Sequence, residues 1–191
     1  MTHVAAGKEG ETVVHDWTCR IRCKKHELGG AYWVLIFLGE VPDDPLQWRT
    51  CPSFVGGHYV FVSSATNEQP DTVSEGFVHL NKAIASRSGL SSYEPNVVAP
   101  YLKDNLEWRV QAVRVSHRSF VSIWRIVLNP SPSLQGNRTA VDLSKLPSLE
   151  VTVSSTHLTY TPGSSFPDAG EPHYHHHITH GRPGGARHAQ T

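Results

Sequence analysis

Five histidines fall within one ten-residue window near the C-terminus: His173, His175, His176, His177 and His180. Imidazole is the commonest protein ligand for transition metals and the side chain that titrates nearest neutrality. A packed β-domain has no structural need for so dense a run. Tyr174, Ile178 and Thr179 interrupt it, and it continues into G-R-P-G-G-A-R, unlike a homopolymeric tag. As a strand, the segment puts His173, His175 and His177 on one face. As a helix starting near Pro172 and stopped by Gly181, it stacks His173 and His177 one turn apart with His180 nearby. Three neutral imidazoles at about 2.0–2.1 Å leave zinc an open fourth position, as a catalytic site requires. His173, His175 and His177 are therefore the expected ligands of a Zn2+ ion. The competing reading is an unstructured tail that picks up metal adventitiously.

A second pair that could do chemistry is Glu75 and His79. An offset of four puts both on one side of a helix and also on one side of a strand. They suit an acid–base pair, or a ligand with the group that orients it; the competing reading is a surface carboxylate and a core-edge histidine. His15, His58 and His157 share parity with apolar strand neighbours and read as partly buried core histidines, with His58 the first reserve ligand. Glu27, in K-K-H-E-L-G-G, reads as a turn residue, and His117 as an exposed hairpin residue. Five tryptophans, Trp17, Trp33, Trp48, Trp108 and Trp124, could line a pocket for a flat ligand. Core packing is the expected role of at least three.

The chain that must position these groups has 191 residues, 38% of them apolar, enough for one core. Seventeen basic residues balance 17 acidic ones, which argues against nucleic acid as a partner and favours a small neutral substrate. The longest apolar run, Ala31 to Leu38, is far too short to span a bilayer, and the N-terminus shows no signal-peptide core. A soluble cytoplasmic protein is expected. Cys19 and Cys23 lie four apart on an alternating strand, roughly 13 Å at about 3.3 Å per residue, too far to bridge. Asn137-Arg138-Thr139 is a glycosylation sequon that reads as loop sequence. Neither G-x-G-x-x-G nor a phosphate loop is present.

Residues 12–23 alternate, with His15, Trp17, Cys19, Ile21 and Cys23 on one parity. Tyr32 to Leu38 is apolar at both parities, the pattern of a strand buried on both faces. Short strands are expected at 58–62, 106–115, 120–128 and 149–160. Helices are expected over 75–86, with Phe77, Leu80 and Ile84 on one side, and over 95–102, with Pro95 in the first turn. The fold class is mainly β: an antiparallel barrel or sandwich with one or two short helices and a His-rich C-terminal tail. The β-domain is placed at 1–161 and the tail at 162–191, docked on the same domain.

Several stretches resemble, in order from about residue 12 to 160, the C-terminal domain of fungal tyrosinases. They are K-K-H-E-L-G-G-A-Y-W-V-L-I-F-L-G-E-V-P-D-D-P-L-Q-W, P-S-F-V-G-G-H-Y-V-F-V, E-G-F-V-H-L-N, Y-L-K-D-N-L-E-W-R-V and L-P-S-L-E-V-T-V. The helical bundle that carries the copper-binding histidines of tyrosinases has no counterpart here. The family's Cys-x-x-Cys is replaced by Asn67-Glu68-Gln69-Pro70-Asp71-Thr72. Phenol oxidation is not expected. A stand-alone, haemocyanin-like domain of this kind resembles the zinc-dependent cyclopenases. That resemblance implies contraction of the 6,7-bicyclic ring of cyclopenin to the 6,6-quinolone viridicatin, with loss of methyl isocyanate. The implied partner is a small neutral bicyclic alkaloid. The alternative is a non-catalytic binding module, lectin-like or shielding. A metal carrier is disfavoured by the missing thiolates.

Overall fold

The computed structural model describes residues 5–6, 12–62, 71–113 and 138–188. In chain order the strands are β1 (Ala5–Ala6), β2 (Thr12–Lys24), β3 (Tyr32–Leu38), β4 (Phe54–Val60), β5 (Val73–His79), β6 (Leu106–Val113), β7 (Arg138–Val141), β8 (Glu150–Tyr160), β9 (Asp168–Ala169) and β10 (His173–Tyr174). Helices α1 (Asn81–Arg87) and α2 (Pro95–Asn105) lie between β5 and β6. Single 3-10 turns cover Leu143–Lys145 and His176–Ile178. Among the described residues no helix is long and apolar enough to cross a membrane.

The alternation of residues 12–23 becomes the central strand of the first sheet. In β2, His15, Trp17, Cys19, Ile21 and Cys23 are buried while the residues between them are half-buried. The sheet runs β1-β2-β8-β10, with β5 also on β2 and β9 also on β8. The second sheet runs β4-β3-β6-β7, and every strand pair in both sheets is antiparallel. One core fills the space between the sheets. Trp17, Cys19, Ile21, Val151 and Val153 meet Tyr32, Val34, Ile36, Trp108 and Val110, and Ile84, Val98 and Leu102 of the helices join the same cluster. On its other face β3 packs Leu35 and Phe37 against Trp48 from the 40–54 loop, which explains why this strand is apolar at both parities. The fold is the expected mainly β, antiparallel sandwich.

Trp17, Trp48 and Trp108 are core residues, and Trp33 is half-buried with the Arg49 guanidinium 4.4 Å from its ring centre. Trp124, His117, Asn137 and the 120–128 strand lie outside the described residues. Cys19 and Cys23 are free and buried, and burial pushes the Cys19 thiol up to about 12. Glu27 Oε2 accepts hydrogen bonds from the Ser148 backbone N–H (3.1 Å) and hydroxyl, tying its turn to the start of β8.

The region 75–86 differs from the helix expected. Residues 73–79 form β5, and α1 begins only at Asn81. The spacing of Phe77, Leu80 and Ile84 fits a helix, but β2 has an edge to satisfy. Seven residue pairs, Thr18↔His79 through Lys24↔Val73, outweigh the local preference. Phe77 therefore points outward and is 60% exposed, while Val78 faces the core. Beyond Thr18 the β2 edge is completed differently. The Leu80 N–H donates to the Trp17 carbonyl (2.8 Å). The Asn81 side chain accepts from the Trp17 N–H (2.6 Å) and donates to the His15 carbonyl (2.8 Å). One amide thus stands in for a strand residue just where β5 turns into α1.

The C-terminal segment crosses from one sheet to the other. Thr179, fully buried, donates its hydroxyl to the Val151 carbonyl (2.8 Å) and accepts from the Ala186 N–H (3.2 Å). The Trp108 indole donates to the Pro183 carbonyl (2.9 Å), and Arg182 lies 4.2 Å over the Trp108 ring while bonding the Leu106 carbonyl and Glu107. Gly184 adopts φ +72°, and a Cβ there would press on Leu149 at 2.8 Å. Residues 173–186 are therefore part of the sandwich and join β8 to β6.

Two outcomes are expected. Asn81→Ala strands the His15 carbonyl and Trp17 N–H, and should cost about 1–3 kcal/mol in urea unfolding; a loss under ~0.3 kcal/mol would contradict the bridging role. His58 bonds Ser74 Oγ (2.8 Å) with its ring over Gly76, and burial lowers its pKa. Its contribution is present above the unfolded value of about 6.5 and is lost as pH falls below it. Wild type should lose more stability than His58→Gln between pH 7 and pH 5.

Candidate metal centre

The β2–β8–β10 register collects the histidines. Trp17 lies opposite Ser155, and Ser155 opposite His173; one step along, His15 lies opposite His157. Directly opposed residues of antiparallel strands share a face, as do residues two apart. His15, Trp17, Ser155, His157 and His173 therefore all project from the core face. The core runs out here: His15 is 4% exposed, while His157 and His173 are exposed at the rim.

After Tyr174 the chain leaves the strand. The His175 N–H donates to the Val153 carbonyl (2.8 Å), which turns its ring inward against Trp17 (centres 4.8 Å apart, 27° between planes). His175 Nε2 lies 2.8 Å from the buried Ser155 hydroxyl. The 3-10 turn His176–Ile178 then places Ile178 in the core and returns His177 to within 5.9 Å of the His175 ring. The His173 ring meets His175 edge-on at 4.7 Å. From the other side, His15 packs on His157 at 4.3 Å and its Nε2 lies 3.2 Å from Glu94 Oε2. Glu94 is the extended residue that leads into α2, beside Tyr93, whose carbonyl accepts from the Trp17 indole (2.9 Å).

Two groups of imidazoles, His15 and His157 beside Glu94, and His173, His175 and His177 around Trp17, thus line the same open edge of the core. Burial first, then repulsion from His173, His177 and His15, pushes the His175 imidazole down to about 4. Burial also lowers His15, helped by His157 and opposed by Glu94. Both rings are uncharged at neutral pH, the form in which imidazole binds a metal. Three rings sharing a zinc at about 2.0–2.1 Å have centres roughly 5 Å apart, and the observed spacings of 4.7 and 5.9 Å bracket that value. Among the described residues no three His, Cys, Asp or Glu side chains are already closed around a point that could hold an ion. The donor set still fits one: among the described residues His15 Nδ1 is buried without a hydrogen-bond partner, and exposed rings such as His157, His173 and His177 reorient within nanoseconds.

The expected ligands His173, His175 and His177 come together, though in neither way anticipated. Two residues of strand and a 3-10 turn set both outer rings against His175 instead of stacking them on each other. His180 is exposed. His15 and His157, read as ordinary strand histidines, belong to the cluster. The parity of His15 with Trp17, and of His157 with Val151 and Val153, was the one signal, and only the strand pairing reveals that they face each other. Glu94 carried no signal at all.

Glu75 and His79 need correction. Their partners Arg22 and Thr18 are on the outward parity of β2, so both residues lie on the opposite side of the sheet from the imidazoles. At about 3.3 Å per residue they are roughly 13 Å apart on β5 and cannot act as an acid–base pair. Glu75 bonds Arg20 (2.5 Å) and lies 4.0 Å from Arg22, which holds its carboxyl below the usual range. His79 lies 3.4 Å from Asp16 with its side chain 75% exposed. His58 sits over Gly76, which pairs with Ile21, roughly 20 Å along β2 from His15. Two surface cavities of about 550 and 560 Å³ open elsewhere, one around Pro42, Cys51 and Arg87, the other around Val141, Leu146 and Pro183.

A two-sheet antiparallel sandwich with an imidazole-lined rim defines the structural class. Residues 16–122 match the family model of the tyrosinase C-terminal domain, and the chain belongs to that family. The tyrosinase of Neurospora crassa is 28% identical, in an alignment that covers 89% of this chain and 23% of the tyrosinase. The structure of recombinant mushroom tyrosinase aligns with a TM-score of 0.57 at 22% identity, over 90% of this chain and 26% of that one. A mushroom tyrosinase structure containing latent and active forms aligns at 0.54 and 21%. These two share the fold. The chain spans about a quarter of the length of the tyrosinases it matches.

Because the Glu75 pair is exposed and faces away from the cluster, Glu75→Gln should change stability by no more than about 1 kcal/mol. Glu75→Gln and His79→Gln should both leave zinc affinity, measured by chelator competition, within about twofold of wild type. A tenfold loss in either would place these residues back in the site.

Proposed function

We propose that this domain is a zinc-dependent lyase of the cyclopenase type. It contracts the 6,7-bicyclic ring of cyclopenin-type alkaloids to the 6,6-quinolone viridicatin and releases methyl isocyanate. The observation that carries this reading is the grouping of the His173, His175 and His177 rings at an open edge of the core whose same face carries His15 and His157. The reaction class rests on the resemblance described above.

In this reading His173, His175 and His177 hold the ion. Zinc, when bound, supplies Lewis-acid polarisation of a substrate oxygen. The Ser155 hydroxyl and the Trp17 face fix the His175 ring, so that one ligand is set in place before the ion arrives. His157, the rim ring not assigned to the ion, is exposed where a substrate can reach it, and an imidazole there can accept and return a proton. A neutral bicyclic substrate needs no charged anchor, consistent with the chain's balanced charge.

A second reading, a non-catalytic shielding or binding module, draws on the relatives, in which this domain is about a quarter of a longer tyrosinase. It would place Phe166, 80% exposed between β8 and β9, at a protein contact. Metal content and turnover separate the two. The lyase reading expects about one zinc per chain, loss of cyclopenin turnover on chelation and recovery on adding zinc. His175→Ala should lower kcat/KM at least 100-fold. Full turnover by verified metal-free protein would overturn it.

A further inference from the structure

We propose that His15 is a ligand of the bound ion and that Glu94 is the carboxylate that orients it. This rests on the metal-site reading above. It adds a ligand from β2, 158 residues before His173 in sequence, to a site otherwise drawn from the C-terminal segment.

The His15 ring has one nitrogen paired and the other bare. His15 is 4% exposed and its Nε2 faces Glu94 Oε2 at 3.2 Å, so Nε2–H donates and the lone pair is left on Nδ1. Nδ1 is buried and has no hydrogen-bond partner among the described residues. A buried polar atom is nearly always satisfied, and an exception calls for an unplaced water or ion. A histidine whose far nitrogen is held by a carboxylate and whose near nitrogen is bare has the arrangement in which metal-bound histidines are found.

The surroundings favour an ion over a core role. The ring is held by burial and by Glu94, on a backbone that Asn81 and β8 fix in place. It packs on His157 with ring centres 4.3 Å apart and 55° between planes. An isolated core histidine has no reason to sit among its own kind. A hydrolytic reading of the nearby Ser155–His175 pair fails, because Ser155 is 2% exposed and no substrate could reach its oxygen. With His15 and His175 as the buried ligands and the exposed His173 and His177 turning to meet the ion, four imidazoles would hold it and a substrate oxygen would enter as a fifth ligand.

One consequence is physical and independent of catalysis: the ion would staple the C-terminal segment to β2, and its binding would raise the melting temperature. The test is titration of metal-free full-length protein with Co2+ and Zn2+. The readouts are the visible d–d absorption of Co2+, Zn2+ affinity by chelator competition, and the melting temperature. Wild type should take up one Co2+ and melt higher with it. His15→Gln should weaken binding about 100-fold or more, change the absorption band and abolish the thermal shift. Glu94→Gln, at a half-exposed position, should keep the band and lose about 10-fold in affinity, the usual effect of removing an orienting partner. Exposed His180→Gln should match wild type.

If His15→Gln folds poorly without metal, Glu94→Gln decides the matter. Wild-type affinity in Glu94→Gln, or an unchanged band in folded His15→Gln, overturns the proposal. Wild type that binds Co2+ in this way yet leaves cyclopenin untouched sinks the lyase reading alone. Wild type that binds no ion sinks both.

Discussion

The pairing of β2 with β8, from Thr12↔Tyr160 to Arg22↔Glu150, is the constraint on which the rest of the molecule depends. It places Cys19 beside Val153 and Ile21 beside Val151, and so builds half the core. In the same stroke it places Trp17 beside Ser155 and His15 beside His157. A slip of one residue would turn every one of these side chains to the other face of the sheet. Core and imidazole cluster are thus one ladder read at two ends, buried toward Cys23 and open toward His15.

The C-terminal segment is held by bonds to that ladder and not by its own regular structure. Two residues of strand, one 3-10 turn and a buried threonine hydroxyl fix His175 between Trp17 and Ser155. Arg182 and Pro183 carry the contact over to Trp108 in the opposite sheet. The imidazoles gain rigidity from this without losing access, because the inward-pointing members are His15 and His175 and their neighbours remain at the rim.

Much of the scaffold was legible in the residues. The alternation of His15 to Cys23 and the doubly apolar Tyr32 to Leu38 specify one-sided and two-sided burial by period alone, and both are found. The segment after Val73 misled because its apolar spacing satisfies a helix and a strand about equally, and the edge of a distant strand decided between them. The histidine window pointed to His173, His175 and His177 because proximity in sequence survives any local conformation. His15, His157 and Glu94 were hidden because strand pairing joins residues far apart in the chain. Glu75 and His79 were misplaced because a shared side of one strand says nothing about which face of the sheet it is.

Asn81 has a bearing on solubility. Open N–H and C=O groups along a strand border are a template on which a foreign chain can add itself. Where β5 departs, Leu80 and the Asn81 amide occupy the Trp17 N–H and carbonyl and the His15 carbonyl, so those three groups are closed to an incoming strand. A side-chain amide does this in less room than another strand would need. The domain can therefore end its sheet beside a cluster of accessible rings without turning that end into a seed for cross-chain assembly.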